Sequence, residues 1–172
     1  MNLKKYITSV PDFPKKGILF RDITSLLEND TAFKYCIDEL IKNTEQFSFN
    51  KIAVIESRGF IFGSVLSYLL SKPLILIRKK DKLPGDKLSI KYDLEYNTEV
   101  LQIKKNSVTN NDKLLIVDDL IATGGSSLAV SKLIEQVEGT ISGFLFVINL
   151  NNLNGNNLLI NKGYKSLSLM EY

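Results

Sequence analysis

The stretch KLLIVDDLIATGGSS, residues 113–127, decides the fold. Four apolar residues run directly into two adjacent carboxylates, Asp118 and Asp119, and a glycine- and serine-containing turn follows. An apolar run of this length, bounded by polar residues, predicts a strand that is buried on both faces. Two like charges side by side at its end repel each other, so the pair indicates a site that needs two carboxylates.

Strand-type and helix-type segments alternate along the rest of the chain. The other predicted strands are KIAVI (51–55), PLILIRK (73–79), ISGFLFVINL (141–150) and KSLSLM (165–170). The predicted helices cover residues 30–45, 59–70 and 127–138. Residues 88–105 predict two extended segments, a hairpin arm, and NNLNGNN (151–157) predicts a polar turn. This alternation implies an α/β fold, a doubly wound and mostly parallel sheet with flanking helices.

Composition limits the chemistry that this chain can perform. Its 172 residues suggest one domain, and a net charge of +3, from 22 basic and 19 acidic residues, is too small to indicate nucleic-acid binding. With no histidine and one cysteine, the chain has no internal disulfide, no Cys/His metal site and no histidine catalysis. No apolar run approaches the roughly 20 residues of a membrane span, and the N-terminus has no signal-peptide core. We therefore expect a cytosolic protein without a membrane partner.

The turn after the acidic pair predicts a sugar phosphate site. Ligands of a doubly wound sheet bind beyond the carboxyl ends of its strands. The turn at residues 122–126 leads into a predicted helix, so its N–H groups and hydroxyls can hold a phosphate, and the two carboxylates can hold vicinal hydroxyls. The alternative is a capped turn with two solvated aspartates. The sequence contains neither the P-loop pattern nor the G-x-G-x-x-G pattern.

Arginine is used sparingly, which draws attention to the three that are present. Of the 22 basic residues only Arg21, Arg58 and Arg78 are arginine. A guanidinium group offers a planar fork of donors, which suits bidentate contact with a phosphate better than an ammonium does. Chance placement on the surface is the alternative for any one of them.

The residues also resemble a known family. The run LLIVDDLIATGGSS (114–127) resembles the phosphoribosyl-pyrophosphate motif of the type I phosphoribosyltransferases. Four more segments resemble, in the same order, segments of the adenine-specific branch of that family: PDFPKKGILFRDITSLL (11–27), ESRGFIFG (56–63), RKKDKLPG (78–85) and YDLEYNTEVLQI (92–103). The resemblance extends to about Val137. It implies a single domain, residues 1–172, with a small N-terminal hood, residues 1–29, and a flexible β-hairpin arm.

The resemblance implies a role for each matching position. The ribose would be held by Asp118 and Asp119, and the 5-phosphate by Ala122, Thr123, Gly124, Gly125 and Ser126. The pyrophosphate would contact Ser57, Arg58 and Gly59, where the family often has a non-proline cis peptide. It would also contact Arg78, Lys79 and Lys82, in part across a dimer interface. The purine would be covered by Leu19, Phe20 and Arg21. The catalytic residues would be Glu95, Tyr96 and Arg58, the first two in a flexible loop.

The implied reaction joins adenine to 5-phosphoribosyl 1-pyrophosphate and gives AMP and pyrophosphate. It would use Mg²⁺ held mainly by substrate oxygens, with no direct protein ligand, in a homodimer. Two rival functions remain open from the residues: a non-catalytic regulator of the same fold, and an enzyme for hypoxanthine or xanthine. Single residues have plainer readings too. Leu19 and Phe20 could equally belong to the packed core. Lys79 and Lys82 could belong to a solvated basic loop, and Glu95 could lie at an exposed hairpin tip.

Overall fold

The computed structural model describes residues 1–93 and 98–172, which form two compact units. The first unit is Met1–Glu39 and the second is Leu40–Tyr172, so the boundary falls within one helix. The expectation of a single domain with a hood over residues 1–29 stays a prediction. Among the described residues, no helix is both long enough and apolar enough to cross a membrane.

The first unit contains a small hairpin that the sequence analysis did not predict. Strands β1 (Thr8–Pro11) and β2 (Leu19–Asp22) pair antiparallel, and Thr8 lies opposite Asp22. A 3₁₀ turn (Leu3–Tyr6) precedes them, and helices α1 (Thr24–Leu27) and α2 (Asp30–Thr44) follow. Most side chains of β1 are exposed, so its sequence lacks the alternation that reveals a half-buried strand.

The second unit is built on a seven-stranded sheet. Its elements are β3 (Lys51–Ile55), α3 (Gly59–Leu70), β4 (Leu74–Lys79), β5 (Lys87–Asp93), β6 (Thr98–Lys104), β7 (Lys113–Ile121), α4 (Gly125–Gln136), β8 (Thr140–Asn149), α5 (Gly155–Asn161) and β9 (Ser166–Glu171). The strand order is β5-β6-β4-β3-β7-β8-β9. Along that order, each strand from β4 through β3, β7 and β8 to β9 pairs parallel with the next. Strands β5 and β6 pair antiparallel and form an arm, in which β6 pairs antiparallel with β4. The predicted doubly wound, mostly parallel sheet is confirmed.

Two sequence predictions in the second unit need correction. The Asn-rich segment predicted as a polar turn forms a 3₁₀ turn (Asn151–Leu153) and then helix α5. Helix α5 escapes detection because Leu159 is its only buried apolar side chain and no helical repeat develops. Strand β7 continues through the acidic pair to Ile121, so Asp118 and Asp119 lie within the strand and not at its end.

Helix α3 lies against β3 through a glycine. A Cβ atom on Gly63 would overlap Cγ1 of Val54, whose side chain is fully buried. Because the N-terminus of α3 carries Arg58 and Gly59, this contact sets where both of those residues stand relative to the sheet.

The contact predicts a steric coupling between two positions. Gly63→Ala should lower the free energy of unfolding by about 1–3 kcal/mol, because the added methyl group overpacks a buried contact. Val54→Ala should remove the overlap, so the double variant should be less destabilised than the sum of the two single variants. Urea unfolding measures all three. Ser64→Ala, at an exposed position of α3, is the control and should change stability by less than about 0.5 kcal/mol. Strict additivity would contradict this packing.

Candidate active site

The predicted site residues of the second unit gather where three parallel strands end. Ile55 of β3 lies opposite Ile77 of β4, and Val54 lies opposite Val117 of β7. The chain proceeds from β3 to β4 on one side and from β7 to β8 on the other. The switch in direction therefore falls between β3 and β7, which is where open α/β sheets bind ligands.

The acidic pair meets Arg58 at this switch point. Pairing between β3 and β7 stops at Val117, while Asp118 still pairs with β8. Asp119 is 4% exposed, and its Oδ2 lies 2.9 Å from Nε of Arg58. The backbone N–H of Asp119 donates to Oδ1 of Asp118 at 2.9 Å. Two carboxylates and one guanidinium thus occupy the gap between the two strand ends.

Gly59 allows the two strand ends to approach each other. A Cβ atom at this position would lie 2.6 Å from Oδ1 of Asp118 and 3.0 Å from the carbonyl oxygen of Val117. The peptide bond between Glu56 and Ser57 is cis, as the resemblance implies for this loop. Ser57 is exposed, whereas Gly59 is buried. Of the residues predicted to contact pyrophosphate, Arg58 and Gly59 therefore sit directly beside the acidic pair.

The electrostatics of the pair are unfavourable without a ligand. Burial raises the pKa of Asp118 well above its ordinary value, and the neighbouring charge of Asp119 raises it further. Burial also raises the pKa of Asp119, and the charge of Arg58 only partly opposes this effect. One guanidinium does not compensate two carboxylates of which Asp119 is buried and Asp118 is half-buried, so the site favours a ligand that brings hydrogen-bond donors or positive charge.

The predicted phosphate loop joins β7 to α4, and its last two residues form the start of that helix. Gly124 has φ +83°, a conformation that suits glycine, and its carbonyl oxygen accepts from the N–H of Leu128 at 3.0 Å. Ala122, Thr123, Gly125 and Ser126 are partly exposed, and Gly124 is buried. The loop precedes a twelve-residue helix, whose first N–H groups carry a partial positive charge. The arrangement can bind an anion.

A hydroxyl contact joins the phosphate loop to the hairpin arm. Oη of Tyr92 on β5 lies 3.2 Å from Oγ of Ser126. Glu99 stands opposite Tyr92 in the register of the arm, and its Oε2 lies 3.1 Å from Nζ of Lys79. Burial raises the pKa of Tyr92, so this hydroxyl keeps its proton at neutral pH. The sequence analysis assigned no role to Tyr92 or Glu99, since only the strand register reveals their proximity.

Glu56 gathers the basic segment that follows β4. Its Oε2 accepts from Nε of Arg78 at 3.0 Å and from the backbone N–H of Lys79 at 2.8 Å. Nζ of Lys82 lies 4.0 Å from its Oε1, and the Arg78 guanidinium lies 5.6 Å from the ring centre of Phe60. Burial acts to raise the pKa of Glu56, but these hydrogen bonds and charges together lower it. Glu56, which the sequence analysis also missed, thus holds the predicted pyrophosphate residues in place.

Two further groups of predicted residues belong to other parts of the chain. The predicted purine-covering residues lie on β2 in the first unit, where Leu19 is exposed. Phe20 makes an edge-to-face contact with Phe13, and Arg21 donates to the hydroxyl of Ser9. Glu95 and Tyr96 lie outside the described residues. Within the described parts of the chain, no group of three or more carboxylate, cysteine or histidine ligands could hold a metal ion.

The buried pair predicts a stability that depends on pH. A carboxyl whose pKa is raised in the folded protein contributes stability at acidic pH and loses it as the pH rises through that pKa. Asp118→Asn removes the charge and keeps an oxygen to accept from Asp119. We expect the variant to melt higher than the original protein at pH 7–8, by about 2–4 °C for each kcal/mol gained, and the gain to disappear towards pH 4.

Thermal unfolding across this pH range tests the expectation, with Asp119→Asn as the matched control. That control also removes the ion pair with Arg58, so its melting temperature should rise less at neutral pH. A gain for Asp118→Asn that is the same at every pH would show that burial of its charge is not the cause.

Known proteins resemble this chain over its whole length. The family described as "Phosphoribosyl transferase domain" matches residues 23–155. An adenine phosphoribosyltransferase of Pelagibacter ubique is 51% identical over 172 residues, covering 100% of this chain and 98% of that protein.

Solved structures agree with this match. The crystal structure of adenine phosphoribosyltransferase from Thermoanaerobacter pseudethanolicus has a TM-score of 0.95 and 43% identity, and the match covers 99% of this chain and 98% of that one. The enzyme from Saccharomyces cerevisiae, solved with adenine and an imino-altritol bisphosphate, has a TM-score of 0.88, 34% identity and coverage of 97% and 96%. The chain therefore belongs to the phosphoribosyl transferase family and, within it, to the adenine phosphoribosyltransferases.

Proposed function

We propose that this chain transfers the 5-phosphoribosyl group from 5-phosphoribosyl 1-pyrophosphate to adenine, giving AMP and pyrophosphate. The observation that carries the proposal is the position of the acidic pair. Asp118 and Asp119 lie between the candidate anion-binding loop that follows their own strand and Arg58, which follows the neighbouring strand β3. A ribose held by the carboxylates would have its 5-phosphate towards the loop and its pyrophosphate towards Arg58. Membership of the adenine-specific family supports adenine as the base.

Each predicted role fits the local chemistry of its residue. The carboxylates accept from the ribose hydroxyls, and the N–H groups of residues 122–126 bind the 5-phosphate. Ser57, Arg58 and Gly59 bind the pyrophosphate together with Arg78, Lys79 and Lys82, because forked and point-charge donors both suit phosphate oxygens. Leu19, Phe20 and Arg21 cover the purine. Glu95 and Tyr96, which lie outside the described residues, act at the base.

The reaction exchanges one bond at C1 of the ribose for another. N9 of adenine forms a bond to C1 while the bond from C1 to the pyrophosphate oxygen breaks, and the electron pair leaves with pyrophosphate. The proton on N9 passes to Glu95 or to solvent. Arg58 and the basic segment stabilise the departing negative charge, and they need little rearrangement because Glu56 and Asp119 already fix their positions.

The residues present fit a magnesium ion that is held mostly by the substrate. Mg²⁺ prefers oxygen ligands, keeps several waters, and commonly binds through one or two carboxylates plus substrate phosphates. Asp118 and Asp119 supply such oxygens, and burial raises the pKa of both carboxyls, an effect that a nearby cation would oppose. The ion would add positive charge at the leaving group. The pair would hold it through water.

We also propose that two copies associate. Helix α3 exposes three large apolar side chains, Ile61, Tyr68 and Leu69, and β4 exposes Leu76. Exposed apolar surface of this kind is common at interfaces between subunits. A homodimer through this face would bring a second copy close to the basic segment at the end of β4. The expected cytosolic location stays a prediction.

A pyrophosphate-release assay with three purines tests the function. The protein, supplied with 5-phosphoribosyl 1-pyrophosphate and Mg²⁺, should release pyrophosphate with adenine and at least about 100-fold more slowly with hypoxanthine or xanthine. Product analysis should show AMP. Faster release with hypoxanthine or xanthine would support an enzyme for another base. Tight binding of the phosphoribosyl donor with no release for any base would support the regulator.

Arg58 provides a test of the proposed contact with pyrophosphate. Arg58→Lys keeps the charge and removes the fork, so it should reduce kcat/KM by about 10-fold or more, which corresponds to about 1.4 kcal/mol. Arg58→Gln removes both the charge and the fork, so its kcat/KM sets the lower limit for the lysine variant. If the lysine variant matches the original protein and only the glutamine variant fails, Arg58 acts as a point charge and the fork has no function.

A further inference from the structure

The Asn-rich segment after β8 lies directly behind the phosphate loop. Ile121, which precedes the loop, is opposite Asn149 in the sheet register, and its carbonyl oxygen accepts from the N–H of Leu150 at 3.0 Å. The carbonyl oxygen of Ala122 accepts from the N–H of Gly155 at 3.0 Å. Backbone hydrogen bonds thus join the segment to the last residue before the loop and to the first residue of the loop.

Gly155 makes the closest contact. A Cβ atom on Gly155 would overlap the carbonyl oxygen of Ala122 and would lie 2.6 Å from the backbone nitrogen of Gly124 and 2.8 Å from the carbonyl carbon of Thr123. In return, a Cβ atom on Gly124 would lie 3.1 Å from the carbonyl oxygen of Gly155 and 3.2 Å from its Cα. The two glycines therefore let two backbones touch, and the closest atoms on each side belong to the backbone, which cannot give way as a side chain can.

We propose that Gly155 is a positioning residue for the 5-phosphate loop. This inference rests on the proposed function, in which the N–H groups of residues 122–126 bind the phosphate. Such binding depends on where the backbone of the loop lies, since its donors cannot rotate as side chains do. Gly155 fixes that backbone from behind, through one hydrogen bond and through the absence of a side chain.

The chemistry of Gly155→Ala makes it a specific probe of this contact. Gly155 is the first residue of α5 and does not have a positive φ, so alanine fits its backbone conformation. Alanine also has a higher helix propensity than glycine, so α5 itself is not weakened. The only penalty is the overlap with backbone atoms of residues 122–124. A displacement of the loop is the way to relieve it.

The experiment compares two ligands that occupy different parts of the site. Binding of ribose 5-phosphate and of pyrophosphate to the full chain is measured by calorimetry, and KM for 5-phosphoribosyl 1-pyrophosphate by the release assay. For Gly155→Ala we expect at least a 10-fold loss of affinity for ribose 5-phosphate and a matching rise in KM. Affinity for pyrophosphate should stay within about 2-fold.

Gly163→Ala is the matched control. It also replaces a glycine near α5, and its positive φ of +86° strains the variant, but no atom lies within 4 Å of the added Cβ. It should lower the melting temperature and leave ribose 5-phosphate binding unchanged. If Gly155→Ala fails to fold, Leu158→Ala replaces it, because Leu158 Cδ2 is 3.4 Å from the Cβ position of Gly124 and its loss loosens the same contact.

Three results would overturn the inference. These are an unchanged affinity of Gly155→Ala for ribose 5-phosphate, an equal loss for both ligands, and an equal effect of Gly163→Ala. Failure of the proposed function would give a different result from failure of this inference. In that case the original protein would bind ribose 5-phosphate but release no pyrophosphate with any purine, and the effect of Gly155→Ala on ribose 5-phosphate binding would still decide the positioning role.

Discussion

The withdrawal of two adjacent carboxylates from water, Asp119 fully and Asp118 in part, is the constraint on which the rest of the site depends. Removing charge from water is costly unless opposite charge and hydrogen bonds compensate for it. Strand β7 supplies the carboxylates and the residues after β3 supply Arg58, so the compensation requires these two strands to be neighbours. It also requires their ends to come close, which Gly59 permits. The remaining deficit of positive charge is what a substrate and a metal ion would supply.

A second set of charges, around Glu56, is arranged in the opposite way. Here one carboxylate is shared among Arg78, the N–H of Lys79 and Lys82. Burial acts to raise its pKa, but the two hydrogen bonds and the charges of Arg78 and Lys82 together lower it. The two strand ends on either side of β3 thus differ in character. The end of β7 is short of positive charge and the end of β4 has an excess of it. A polar ligand that spans both ends can satisfy both imbalances, and a phosphorylated sugar with a pyrophosphate group has the required distribution of donors and negative charge.

The sequence predicted the central part of this structure well, and the reasons are physical. Strands β3, β4, β7 and β8 are short, buried apolar runs between polar residues, and the contrast marks both their type and their order. The acidic pair and the glycine-rich turn also follow each other directly in the chain, so a local motif describes them. The family resemblance was confirmed by relatives and solved structures alike. The roles of the single site residues remain predictions.

The parts that escaped prediction are contacts between distant parts of the chain. Tyr92 meets Ser126, and Glu99 meets Lys79, only because the arm has a particular register and packs beside β4. Helix α5 and the β1–β2 hairpin are short and bury few side chains, so no periodicity reveals them. The ion pair between Arg58 and Asp119 was also missed, since each residue had been assigned to a different part of the ligand.

The contact between Gly124 and Gly155 has a consequence for how such proteins are recognised from sequence. A pattern written over residues 118–126 describes only the strand and turn that face the ligand. The glycine that leaves room for the turn lies after the next strand of the sheet, in a stretch of asparagines with no pattern of its own. The signature of this loop is therefore discontinuous. A search that requires both glycines should separate chains that can form the loop from chains that carry the local motif alone.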